Sequence, residues 1–84
     1  PSLHQILAGY IQQAVKAFSD HRYLDGALIC CRYLALKEDN SDMWSNLGVF
    51  QTRLGHFIAS EFSLRRSLAL DSFLSLIHIP VLIT

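Results

Sequence analysis

Proline and glycine are scarce, at two and four residues in a chain of 84, which argues against a loop-rich or disordered polypeptide. An excess of one charge is missing too. Seven Lys and Arg balance seven Asp and Glu, so nothing here provides the basic footprint that nucleic acid or an anionic membrane surface requires. Nucleic-acid binding is therefore not expected. Cysteine is limited to Cys30 and Cys31. Neighbours on a helix point about 100° apart, a poor geometry for an intramolecular disulfide, so free thiols and a reducing compartment are expected.

Metal and catalytic patterns are also absent. The four histidines, His4, His21, His56 and His78, form neither His-x3-His nor a Cys-His ligand spacing. Gly48 and Gly55 are too far apart for a phosphate-cradling loop, and neither Cys has a neighbouring His to make it a nucleophile. No metal, no cofactor and no catalysis by this chain alone are expected. The opening PSLHQILAGYIQQAVK lacks a basic leading segment and a continuous apolar run, so it does not read as a signal peptide. A cytoplasmic location is the default. The first residue is Pro, which suggests a piece of something longer.

What is present is helical periodicity. The hydrophobic fraction of 51% with so few breakers suits a compact all-α domain, and 84 residues allow one domain at most. Leu3, Ile6, Leu7, Tyr10, Ile11, Ala14, Val15, Ala17 and Phe18 recur at three- and four-residue spacing, predicting a first helix. Ser19-Asp20-His21-Arg22 supplies a turn. A second helix runs from Tyr23 through Leu36 and closes in Lys37-Glu38-Asp39-Asn40. Asn40 or Ser41 can cap a third helix, with Asp42 placed for its dipole and Gly55 placed to stop it in a left-handed conformation. A fourth helix is expected over 57–70, with Phe57, Ile58, Phe62, Leu64, Leu68 and Leu70 facing the core and Glu61 pairing with Arg65. Such short connections predict antiparallel neighbours.

The two helix pairs match at an offset of 34, which carries Tyr10 onto Trp44, Ala14 onto Gly48, Tyr23 onto Phe57, Leu34 onto Leu68 and Leu36 onto Leu70. Trp44, Leu47 and Gly48 stand at the W-x2-L-G spacing, with Gly55 and Phe57 at the turn and Leu68, Leu70 and Asp71 at the end. On these residues the unit 41–72 resembles a tetratricopeptide repeat, a helix-turn-helix element of that period. The unit 7–40 is a more degenerate copy, with Tyr10 for Trp, Gln13 for Leu and His21 for Gly. Gln51, Ser60, Ser67 and Leu64 also depart from the family's preferred residues. In this reading Trp44 is a wedge between the helices of its unit, and Trp44→Ala should cost ~3–5 kcal/mol. Gly48 allows the facing helix a close approach.

The resemblance implies a right-handed superhelix fragment that binds a peptide or helix of a partner protein on its concave face. The concave positions would be Ala8, Ile11, Gln12, Val15 and Ser19 in the first unit and Asp42, Ser45, Asn46, Val49 and Arg53 in the second. Gln12 and Asn46 are equivalent under the offset, and as stacked amides they resemble the asparagine ladder of some family members. The plain alternative is that both are solvated polar residues. A clamp for a chaperone's terminal carboxylate is not expected, since Asp42, Ser45 and Ile11 stand where the family's clamp has cations or Asn.

The stretch 73–84, FLSLIHIPVLIT, is apolar and falls short of the ~20 residues a membrane span needs. It could pack over the fourth helix, mediate self-association as a homo-oligomer contact, or lie outside the repeat array. Besides the interaction module, two readings stand: a repeat arm of a larger enzyme such as a glycosyltransferase, and a small tail-anchored adaptor.

Overall fold

The computed structural model describes residues 1–71, which form four helices and, among those residues, no strand. They are α1 (Leu3–Ser19), α2 (Tyr23–Leu36), α3 (Ser41–Arg53) and α4 (Phe57–Leu70). The chain is all-α. Expectations about 73–84 fall outside the described residues.

Local chemistry sets the boundaries. Ser2 caps α1 in a capping box, its hydroxyl accepting from Gln5 N while the Gln5 side chain accepts from Ser2 N. Asn40 caps α3 by accepting from Met43 N at 2.9 Å, and its amide also donates to Tyr33 Oη at 2.8 Å, tying the end of α2 to the start of α3. Trp44 Nε1 donates to the Glu38 carbonyl at 2.8 Å and fixes the same connection.

The two inner turns repeat each other bond for bond. After α1, Asp20, His21 and Arg22 donate to the carbonyls of Lys16, Phe18 and Ala17; after α3, Leu54, Gly55 and His56 donate to Phe50, Thr52 and Gln51, each pair 34 residues further on. This pattern needs a left-handed residue, supplied by Gly55 at φ 79° and by His21 at φ 60°. At 55 the lack of a Cβ makes that conformation cheap, whereas His21 adopts it against a steric cost.

Each helix packs on its neighbours in sequence: α1 on α2, α2 on α3, and α3 on α4. The core comprises Leu7, Ala14, Ala27, Cys30, Tyr33, Leu34, Met43, Leu47 and Phe50, with Tyr10, Tyr23, Ile29, Trp44 and Leu54 packed against it. Two glycines permit the closest approaches. A Cβ on Gly48 would stand 2.7 Å from Leu64 Cδ2, and one on Gly26 would run into the Phe50 ring.

The inward face of α4 differs from expectation. Phe57, Ile58, Phe62, Leu64, Leu68 and Leu70 are all exposed, with Ile58 at 89%, while Ser60 and Ser63 are buried. The physical reason is hydrogen bonding between the helices. Ser60 Oγ donates to the Gly48 carbonyl at 2.8 Å, Ser63 Oγ to Gln51 Oε1 at 2.6 Å, and Ser67 Oγ to the Ser41 carbonyl at 2.9 Å. Small hydroxyl side chains let the two backbones come close while keeping every polar atom partnered. Of the expected apolar set, Leu64 reaches inward over Gly48 and Phe62 packs against Trp44. Trp44 is half-buried rather than a central wedge, its ring edge-on to Phe62 with centroids 6.1 Å apart.

Candidate functional site

A groove of about 320 Å³ opens between α1 and α3, lined by Ala14, Val15, Phe18, Asn46, Val49 and Phe50. Helix geometry explains the selection. Residues 14, 15 and 18 share one face of α1, and 46, 49 and 50 share the facing stripe of α3. The floor is apolar. Val15 remains 65% exposed and Val49 38%, so two branched side chains stand in solvent without a covering element among the described residues. Asn46 contributes the one amide, and its Nδ2 lies 3.7 Å from Met43 Sδ, a weak partner that leaves hydrogen-bonding capacity toward the groove.

Arg53 sits at the end of this groove. Its guanidinium lies 5.3 Å from the centroid of Phe18, a groove residue, and 5.6 Å from that of Tyr23, and its Nη1 donates to Tyr23 Oη at 3.2 Å. Phe18, Tyr23 and Phe50 pack ring to ring at 6.0–6.4 Å and fix the platform beneath it. No carboxylate among the described residues pairs with Arg53. Nearby acids are taken: Asp20 pairs with Lys16 and Arg22, and Asp25 with Arg22.

Of the residues expected on a binding face, the structure thus brings Val15, Asn46 and Val49 together in the groove and sets Arg53 at its margin. Gln12, Asp42 and Ser45 do not line it. Gln12 is exposed elsewhere on α1, Ser45 is half-buried, and Asp42 lines a separate hollow with Lys37, Asp39, Asn40, Ser41 and Asp71. Of the two amides matched by the offset, Asn46 lines this groove and Gln12 lies outside it. Phe18 and Phe50, read from the sequence as packing residues, prove to be groove walls as well. Nothing in the local pattern signals this, because the offset of 34 carries Phe18 onto Thr52 and the aromatic match fails there.

The structural residues fall as follows. Ala14, Leu47 and Gly48 are buried, Tyr10 and Tyr23 are half-buried against the core, Gly55 makes its turn, and Phe57 and Leu68 are exposed.

A second, larger hollow of about 720 Å³ lies on another side, with Leu34, Trp44, Leu47, Ile58 and Phe62 among its walls. Two of its polar groups are engaged: Gln51 accepts from Ser63, and the Glu38 backbone carbonyl accepts from Trp44. Arg66 stacks over Trp44 at 5.4 Å, and Arg65 pairs with Glu61 at 2.6 Å. The α1/α3 groove, with the Asn46 amide on its wall and Arg53 at its end, is the better candidate site.

The two thiols differ in their surroundings. Cys30 is fully buried, and burial followed by the neighbouring Cys31 pushes its pKa up to about 12, so it stays a neutral thiol. Cys31 is exposed and free. Among the described residues no group of His, Cys, Asp and Glu is placed to hold a metal ion, and no helix is long and apolar enough to cross a membrane.

No protein-family model, no curated protein and no solved structure matches this chain.

Proposed function

We propose that the chain is a protein-interaction module of two tetratricopeptide-like units, 7–40 and 41–72, which holds a peptide segment or helix of a partner protein in the α1/α3 groove. The observation that carries this reading is the groove itself: Val15, Phe18 and Val49 are exposed apolar residues that, above the buried Phe50, line a cleft beside the Asn46 amide. An apolar cleft with a few oriented polar groups is the usual form of a ligand site. The recurrence at 34 residues of the α2 start, of both helix stops and of the turn hydrogen bonds supports the repeat assignment.

Function then resides in binding rather than in chemistry, in a reducing, cytoplasmic setting. A Val49→Glu variant of the full chain tests the reading. Val49 is exposed, so the melt should be unchanged, while binding of peptides selected on the wild-type chain should be lost. Undiminished binding would place the site elsewhere.

The outward apolar residues of α4 favour a second, compatible reading. Phe57 and Leu68, 68% and 60% exposed on one side of α4, are a surface that another helix could cover, as expected if these units belong to a longer helical array or to the repeat arm of a larger enzyme.

A further inference from the structure

We infer that the groove selects a peptide carrying an acidic side chain beside an apolar anchor, with Arg53 reading the carboxylate. The inference rests on the groove reading above and adds to it the chemistry of the partner.

Arg53 is held in place before any ligand arrives. Two aromatic faces lie under its guanidinium, at 5.3 Å and 5.6 Å, and Tyr23 Oη accepts from Nη1. A guanidinium carries five N–H donors in a planar fork, so one bond to a phenol leaves a free edge. Among the described residues no carboxylate pairs with Arg53, and Asp20 and Asp25 pair instead with Lys16 and Arg22. A stacked cation with unused donors, next to an apolar floor, complements a carboxylate next to an aliphatic or aromatic side chain. Stacking also fixes the fork, so a carboxylate can bind two N–H groups without first immobilising a flexible side chain. Phe18 links the two halves of the site: one side of its ring belongs to the groove and the ring also lies under Arg53. The anchor and the acid of the partner should therefore be close in sequence.

The test uses the full chain and a random decapeptide library with amidated C-termini, which removes the terminal carboxylate as a competitor. Selected peptides should carry Asp or Glu at a fixed short spacing from Leu, Ile, Val or Phe. The best of them should lose affinity about tenfold against Arg53→Gln, with partial recovery in Arg53→Lys, which restores the charge without the fork. Added salt should weaken wild-type binding and leave Arg53→Gln nearly unaffected. Selection of apolar peptides without an acid preference, or an acid preference that survives Arg53→Gln, would overturn the inference and leave the groove reading intact. Acid preference confined to a parallel library with free C-termini would overturn it in favour of a terminal carboxylate. No enrichment at all, or enrichment that persists in Val49→Glu, would overturn both.

Discussion

The Ser60 hydroxyl donates to the Gly48 carbonyl at 2.8 Å and lies 2.6 Å from Thr52 Oγ1, which donates to the same carbonyl at 2.9 Å. This three-centre cluster joins α4 to α3 where the two helices approach most closely. Ser60→Val removes the hydroxyl and adds a methyl group in a closed space, and should destabilise the chain by about 1–3 kcal/mol in urea melts. Ser60→Ala should cost about 1 kcal/mol, because the Gly48 carbonyl keeps Thr52 as a partner. An unchanged midpoint for both variants would mean that the serine column contributes nothing to the α3/α4 packing.

The two close-approach glycines should differ in tolerance. A Cβ on Gly48 meets the end of Leu64, a partly exposed side chain that can move, whereas a Cβ on Gly26 meets the ring of Phe50, which is 3% exposed and packed by Phe18 and Tyr23. Gly26→Ala should therefore be the more damaging, at about 2–3 kcal/mol against about 1 kcal/mol or less for Gly48→Ala. Thermal melts of the two variants decide the order.

The paired turns give a reciprocal prediction. Gly55→Ala places a Cβ at φ 79° and should cost about 1 kcal/mol, while His21→Gly relieves a left-handed non-glycine residue and should gain a few tenths of a kcal/mol. The gain is limited by loss of the edge contact between His21 and Tyr23 and by the freer unfolded chain. A destabilised His21→Gly variant would show that the Tyr23 contact outweighs backbone strain.

The thiols should separate cleanly. At neutral pH a disulfide reagent should modify Cys31 rapidly and Cys30 only once denaturant unfolds the chain. Burial raises the Cys30 pKa from 9.0 to about 12, so in that window the unfolded chain releases a proton that the folded chain retains. Stability should fall as pH rises through it, and Cys30→Ala should show a shallower alkaline slope.

Trp44→Ala should fall at or below the lower end of the ~3–5 kcal/mol expected of a buried aromatic, since the ring is only half-buried. Trp44→Phe should still cost about 1 kcal/mol, because it removes the bond to the Glu38 carbonyl that holds the connection between α2 and α3. Circular dichroism is the suitable readout, since the sole Trp is the residue changed.

Helix boundaries were legible because their signals are local: Asn40 caps, Gly55 stops, and apolar spacing marks each helix. Half of the site was legible for a related reason, since Val15, Asn46, Val49 and Arg53 share helix faces fixed by the turns. The inward face of α4 was not. Its apolar residues are the larger ones, and periodicity alone assigns large apolar residues to the core. That assignment fails where serines at 60, 63 and 67 find acceptors on the facing helix, a tertiary fact that no single-helix pattern encodes. For Arg53 the place on the candidate face was legible, but not its position over two rings, which depends on the packing of Phe18 against Tyr23.

The measurement that tests the central claim most directly is amide chemical-shift mapping of the full chain during titration with a selected peptide. Shifts concentrated at Ala14, Val15, Phe18, Asn46, Val49 and Phe50, extending to Arg53, are the predicted result. Shifts confined to Phe57, Ile58, Phe62 and Leu68 on α4, with the α1/α3 groove silent, would contradict it.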